Sequence, residues 1–329
     1  MSSLPLHGWA PFRLYWQGSE PGVEWCYLGA NRFTEPFFET SMQLAIQAPF
    51  NNLFRFRTPI AALAEWQRTS PGLKPTGFIF HLSRCGSTLI TQLLASLPEN
   101  AVISEAGLLD GMLRSEQRAP QSSLEQRVCW LQWLVSALGQ RRTGAERHLF
   151  IKFDPRSIVM FPFLRLAFPA VPWIFVYRNP VEVMVSNLRG TAQLLTPSLD
   201  TAAFLSVTPS QVAAMDEEEF LARVLGVIAQ TAMRCATDYD GLLINYPQLP
   251  EIVWGAMGRH LGITLTNGDL EQLKQVATRD AKHPERRFSG DTESKNKEAS
   301  ERVRLLAEHW IGPHYARLEE LRTRREGTR

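Results

Sequence analysis

Apolar residues recur along the chain in two rhythms. Short unbroken runs, Phe78-Ile79-Phe80 with Leu82, Ala101-Val102-Ile103, Leu149-Phe150-Ile151, Trp173-Ile174-Phe175-Val176-Tyr177 and Leu242-Leu243-Ile244, read as buried strands. Between them, apolar positions repeat at helical spacing. Leu89, Leu93, Leu94 and Leu97 form one stripe, Leu124, Val128, Leu131, Leu134 and Leu138 a second, and Phe220, Leu221, Val224, Leu225 and Ile228 a third. Continuous apolar strands alternating with helices indicate an α/β fold, a parallel sheet flanked by helices on both faces. Further helices are expected over 158–168, 250–261 and 269–278, and from Glu298 onward, with an arginine-rich C-terminal end that frays. Residues 190–215, rich in Thr, Ser, Pro and Ala, read as a loop or lid, and Arg279 to Lys297 as polar and unpatterned.

Before the first such strand the pattern differs. Residues 1–75 form an aromatic-rich N-terminal extension, and 76–329 the α/β domain. Phe12 to Trp16 and Glu24 to Leu28 read as two strands around the turn residues Gly18, Pro21 and Gly22. Phe33–Ala48 and Pro59–Gln67 read as helices, with a short extended piece at Arg55 to Arg57. The extension is a cap over a substrate, a packing extension or a dimer surface, the homodimer included; aromatic strands favour packing.

Composition narrows the setting. The 329 residues are 44% hydrophobic with a net charge of +2, enough for a large core and no general pull toward nucleic acid or membrane. The four scattered cysteines suit a reducing compartment rather than disulfides or zinc. The first thirty residues lack an apolar run of leader type and no stretch is long enough to span a membrane, so a cytoplasmic setting is expected. The acidic run Asp216 to Glu219 opens a helix, where the dipole favours negative charge, and reads as a cap rather than a metal site; no metal is expected.

The chemistry gathers at strand ends. After Leu82 comes Ser83-Arg84-Cys85-Gly86-Ser87-Thr88, a turn opening into a helix. The first N–H groups of a helix lack partners and favour an anion, Gly86 permits close approach, and Arg84, Ser87 and Thr88 add donors. The ATP-binding pattern GxxxxGK[ST] is absent, because no lysine precedes the hydroxyl residues. Glu105, Lys152, Asp154 and Arg178 also follow strands, at the edge where parallel sheets place their sites. From the residues alone, Glu105 could cap the next segment, Lys152 could pair with Asp154, and Asp154 could cap the helix after Pro155. His81 reads as a packed, hydrogen-bonded core residue.

Two motifs in this order resemble the sulfotransferases that use 3′-phosphoadenosine-5′-phosphosulfate (PAPS). Arg84-Cys85-Gly86-Ser87-Thr88 is similar to the family's 5′-phosphosulfate loop, roughly [KR]-S-G-[ST]-[ST], with Cys85 where serine is commoner. Arg178-Asn179-Pro180-Val181-Glu182-Val183-Met184-Val185-Ser186 is similar to R-[ND]-P-x-[DE]-V-x-x-S, whose arginine and serine hold the 3′-phosphate. The resemblance covers residues 78–300 and implies sulfuryl transfer to a hydroxyl of a small molecule, carbohydrate or peptide, releasing 3′,5′-ADP. It implies that Arg84 and the loop from Cys85 to Thr88 hold the 5′ end, and that Arg178 and Ser186 hold the 3′-phosphate. Lys152 matches the lysine of the family's K-x-H strand end, but Asp154 replaces the histidine base of the cytosolic branch. In another branch, which includes the protein-tyrosine sulfotransferases, the base is a glutamate after the next strand; Glu105 occupies that place within one residue. Glu105 is therefore the expected base and Asp154 the second choice. Ile244-Asn245-Tyr246 resembles a recurring family strand end, and Arg286-Arg287-Phe288 the segment that closes on the nucleotide. An ATP-dependent kinase of the same fold and a non-catalytic nucleotide-binding module are the competing readings; the acceptor is not named by the sequence.

Overall fold

The computed structural model describes residues 6–190, 194, 200–283, 285–287 and 292–327. The apolar runs become a five-stranded sheet of β4 (Pro75–His81), β5 (Asn100–Ser104), β6 (His148–Lys152), β7 (Trp173–Tyr177) and β8 (Leu242–Asn245), in the order β5-β6-β4-β7-β8. Every pairing in it is parallel. From β4 the chain moves to the edge at β5, returns to β6, then crosses to β7 and β8 on the other side. The direction of winding changes at β4, so a crevice opens over its C-terminal end.

Alternation along each strand divides the core. Phe78 and Phe80 of β4, Ile151 of β6 and Phe175 of β7 face the layer that contains Leu131 and Leu134 and the long helix Glu217–Asp238. Ile79, Phe150, Ile174 and Val176 face the other layer, with Ile90, Leu93 and Leu94 of the helix Ser87–Ser96 and Leu273 of the helix Asn267–Ala277. Both faces are covered, and this is why the strands carry no polar alternation.

The N-terminal extension forms an antiparallel sheet of β1 (Trp9–Gln17), β2 (Glu20–Tyr27) and β3 (Arg57–Pro59). Its buried residues Val23, Trp25, Leu63 and Trp66 belong to the same apolar cluster as Leu134 and Leu138. Trp25 Nε1 donates to Thr58 Oγ1 at 2.9 Å, so the large ring is buried without an orphan donor. The helix expected from Phe33 starts only at Phe38.

Several expectations change. The region read as a loop or lid holds the helices Thr201–Leu205 and Pro209–Ala214, the second closed by a Thr208–Gln211 capping box; 191–193 and 195–199 lie outside the described residues. Helices this short complete too few turns for a period to register. Gly107–Leu113 and Ser115–Arg118 escape the sequence pattern for the same reason. The unpatterned stretch contains the helix Thr292–Glu298. The C-terminal end, expected to fray, is helical through Gly327, because Arg322 pairs with Glu319 and Glu326 while Arg325 donates to the carbonyls of Ala236 and Gly241. Asp216 caps its helix as expected, its carboxylate accepting from Glu219 N–H at 3.0 Å. No helix among the described residues is long and apolar enough to cross a membrane.

Arg32 ties the extension to the sheet layer. Its Nη2 donates to the carbonyls of Ala95, Leu97 and Asn100 at 2.9, 2.7 and 2.9 Å, closing the end of the helix that begins at the anion turn. Arg32→Ala is expected to lower stability by about 2 kcal/mol, since charged hydrogen bonds are lost and carbonyls lose their donor. Urea unfolding with an unchanged m-value checks it.

Candidate active site

The turn after β4 is wound in a left-handed sense that side chains resist. Ser83, Arg84 and Gly86 have φ of 75°, 49° and 87°. At Gly86 both conformation and space require glycine, because an added Cβ would sit 2.6 Å from Leu249 Cδ1 and 3.0 Å from the Tyr246 ring. The reversal delivers the chain to the N-terminus of the helix Ser87–Ser96, where the N–H groups of Ser87 and Thr88 precede the first intrahelical bonds, from Leu89 and Ile90 to Gly86 O. Cys85 differs from expectation in one respect. Its thiol is buried and donates back to Val176 O at 3.1 Å, so only its backbone is available to a ligand. Burial pushes that thiol up to about 11.

The two sequence motifs meet. Arg84 Nε donates to Ser186 Oγ at 3.0 Å, and Ser83 Oγ to Asn187 Oδ1 at the same distance. Asn179 caps the second motif's helix by accepting from Val181 and Glu182 N–H. Arg178 is buried, paired with Glu182 Oε2 through Nε at 2.6 Å and through Nη2 at 2.5 Å, and its guanidinium lies 3.9 Å from the centre of the Tyr246 ring. Tyr246 is thus the site residue contributed by the Ile244-Asn245-Tyr246 strand end.

Three adjacent strands converge on one carboxylate. Lys152 at the end of β6 is 1% exposed, and its Nζ lies 2.5 Å from Glu105 Oε1. The Glu105 N–H also donates to Lys152 O at 2.7 Å, which turns Glu105 into a left-handed conformation with φ of 54°. His81 at the end of β4 accepts from Ser83 N–H at Nδ1, 3.2 Å away, and its Nε2 lies 3.2 Å from Glu105 Oε1. Burial alone would raise the Glu105 carboxyl, but the Lys152 charge and the His81 contact hold it well below the usual carboxylate range. Burial, reinforced by the Lys152 charge, lowers His81. Lys152 therefore pairs with Glu105 rather than with Asp154. Asp154 accepts from Arg156 N–H at 2.9 Å and caps the short helix Pro155–Met160.

All ten residues proposed from sequence line one cavity of about 630 Å³ above the C-terminal strand ends. Six cations border it: Arg84, Lys152, Arg178, Arg279, Lys282 and Lys295. Lys282 is pushed down to about 8, by burial first and then by the charges of Arg84 and Lys152. Lys152 and Lys282 lie 5.4 and 5.6 Å from the centre of the same Phe37 ring, a cation–π contact from the N-terminal extension into the cavity. Such a concentration of positive charge fits a multiply charged anion.

No family model matches the chain, and no curated protein matches it either. Solved structures do. A sulfotransferase from Alicyclobacillus acidocaldarius is 15% identical with a TM-score of 0.47, over 76% of this chain and 96% of that one. Sulfotransferase STF9 from Mycobacterium avium is 12% identical with a TM-score of 0.45, over 76% and 81%. The sulfotransferase domain from the curacin biosynthetic pathway is 13% identical with a TM-score of 0.42, over 78% and 98%. All three of these solved structures are sulfotransferases or sulfotransferase domains. The functional reading rests on this chain's own residues.

Two features of the site were not read from sequence. Arg279, Lys282 and Lys295 line the cavity, whereas Arg286 and Arg287, singled out from sequence, do not; Phe288 lies outside the described residues. The signal was present in Arg279-Asp280-Ala281-Lys282, but no period or strand marked it. The second feature is Asp110, on the helix Gly107–Leu113. Its Oδ1 accepts from Ser157 Oγ, with Arg114 Nη1 3.9 Å away. Burial and then the charge of Asp154 push Asp110 up to about 7.

The two carboxylates give opposite pH signatures. Glu105 is depressed, so its contribution is complete above its ordinary value of 4.5 and is lost as pH falls toward its folded value. Asp110 is raised, so its penalty grows as pH climbs from 3.8 and is complete above about 7. Asp110→Asn is expected to raise Tm by a few degrees at pH 8 and by less at pH 5. Lys152→Met, which strands Glu105, is expected to cost about 3 kcal/mol at pH 7, and less in combination with Glu105→Gln. Thermal scans of the three variants across pH check both signs.

Proposed function

We propose that this chain transfers a sulfuryl group from PAPS to a hydroxyl acceptor. The observation that carries this reading is the hydrogen bond from Arg84 to Ser186, which joins the two motifs at the edge of a cationic cavity. The residues fit the donor. Arg84, the Ser87 and Thr88 N–H groups and their hydroxyls suit the 5′ end, and Arg178 and Ser186 suit the 3′-phosphate. When bound, PAPS supplies a sulfonate whose bond to the bridging oxygen breaks as the acceptor O–S bond forms, leaving 3′,5′-ADP with the electron pair.

Lys152 is a compact buried cation at the strand end, suited to the sulfonate and to the charge that develops on the leaving oxygen. Lys282, crowded by like charges, gains from any anion in the cavity. The proton needs an acceptor matched to neutral pH. Glu105 and Asp154 are the acceptors expected from sequence. Glu105 is committed to Lys152 and holds that cation in place, and Asp154 caps a helix while raising its neighbour. Asp110, on the same cavity and near 7, suits the base role best.

Calorimetry is expected to show 3′,5′-ADP binding far more tightly than ADP. Arg178→Ala should weaken 3′,5′-ADP by about tenfold to a hundredfold and ADP far less. Equal affinity for the two nucleotides overturns the donor assignment and favours an ATP-type enzyme.

The base assignment has its own test, with labelled PAPS and an acceptor panel. Asp110→Asn should lower kcat by about a hundredfold or more and remove the acid limb of its pH profile. Asp154→Asn should move that limb to lower pH, because it removes the like charge. A large loss in Glu105→Gln with Asp110→Asn near wild type returns the base role to Glu105.

A further inference from the structure

Beside the donor cavity lies a second one, of about 600 Å³, walled by β1 and by the helices Phe38–Ile46 and Gly107–Leu113. The two share Glu39, Gln43 and Gly107, and Glu39 Oε1 accepts from Gly107 N–H at 2.7 Å across their common wall. The helix Gly107–Leu113 serves both sides. It shows Asp110 to the donor cavity and Gly111 to the second, which Arg114, just past its end, also lines.

The lining has a definite chemistry. Phe12, Leu14 and Trp16 alternate along β1 and so share one face, and all three are only partly buried although they pack on the core. An apolar face left open beside a polar site is suited to an apolar ligand body. The charged residues on the wall are three arginines, Arg13, Arg114 and Arg118, against the single carboxylate Glu39. Arg13 faces Glu24 at 3.6 Å, and Arg114 faces Asp200 at 3.2 Å and Asp110 at 3.9 Å, whereas the Arg118 side chain makes no hydrogen bond or ion pair among the described residues. Gly111 keeps the space open, since an added Cβ there would already lie 3.3 Å from Leu14 Cδ1.

We propose that this cavity is the acceptor site, and that the acceptor is an amphipathic anion: a hydroxyl group on an apolar body whose far end carries a carboxylate or a similar charge. The proposal rests on the donor reading above. The hydroxyl enters past the Glu39–Gly107 wall toward Asp110, the apolar body lies on Phe12, Leu14 and Trp16, and the anion meets Arg118. This orientation keeps the acceptor's own charge away from the anionic donor. It also gives the N-terminal extension a role in choosing the substrate.

The probes are 12-hydroxydodecanoate and 1,12-dodecanediol, titrated into the full chain saturated with 3′,5′-ADP. The acid is expected to bind about tenfold tighter than the diol, as a charged hydrogen bond gives. Arg118→Glu should erase that preference and leave the diol unchanged. Gly111→Leu, which fills the cavity, should weaken both probes about tenfold or more while 3′,5′-ADP affinity stays at the wild-type value. Leu14→Trp fills the same space from the strand side and replaces Gly111→Leu if the latter does not fold. Equal binding of acid and diol, binding of neither, or filled variants that bind both as wild type overturns the proposal. Failure of 3′,5′-ADP to bind wild type is a separate result that removes the donor reading; the same titrations without nucleotide then decide the cavity.

Discussion

A buried ammonium at the end of a β-strand needs a carboxylate, and much of the site follows from that need. Lys152 is almost fully enclosed, and a lone charge there would cost several kcal/mol. Glu105 supplies the partner at 2.5 Å, and its own N–H returns to Lys152 O, so one residue binds the neighbouring strand by side chain and main chain together. The double tie holds Glu105 at positive φ and fixes the ends of β5 and β6 relative to each other. His81 brings β4 to the same carboxylate. The anion turn leaves β4 two residues later, so its position is set by this cluster.

Three of the cations on the cavity over the sheet are held by internal partners. Glu105 serves Lys152, Glu182 serves Arg178, and Ser186 receives Arg84. These contacts offset desolvation and keep long side chains in few rotamers, which lowers the entropy cost of receiving an anion. Acidic residues near an anion site are usually unfavourable; here they place the cations. Asp110 and Asp154 stand apart from this pattern. Asp110 is buried, and the charge of Asp154 adds to that burial, so Asp110 is driven toward neutrality.

The extension is joined to the α/β layers by packing rather than by a linker. Trp25 and Trp66 share a core with Leu134 and Leu138, Arg32 binds carbonyls at the end of the helix Ser87–Ser96, and the Phe37 ring meets two cations of the cavity, Lys152 and Lys282. Residues of the extension therefore contribute to the core, and Phe37 and Glu39 also line the cavity.

The strands, their parallel arrangement, the anion turn and the Arg178 to Ser186 segment were legible in sequence, because each is local: a run, a period, or a fixed spacing between neighbours. Arg84, Lys152, Arg178 and Ser186 were singled out for that reason, and all four line the cavity. Strand order was not legible, since no local pattern says that β6 rather than β5 lies beside β4. That order decides that Lys152 meets Glu105 instead of Asp154, and so which carboxylate is ionised and which is poised near neutral pH. Asp110 sits on a seven-residue helix too short to show a period, and its titration depends on Asp154, Ser157 and burial, none of them near it in sequence. The second cavity likewise exists only because β1 and two later helices meet. Backbone pattern is written in adjacent residues, whereas charge environment and cavity shape are sums over residues that only folding brings together.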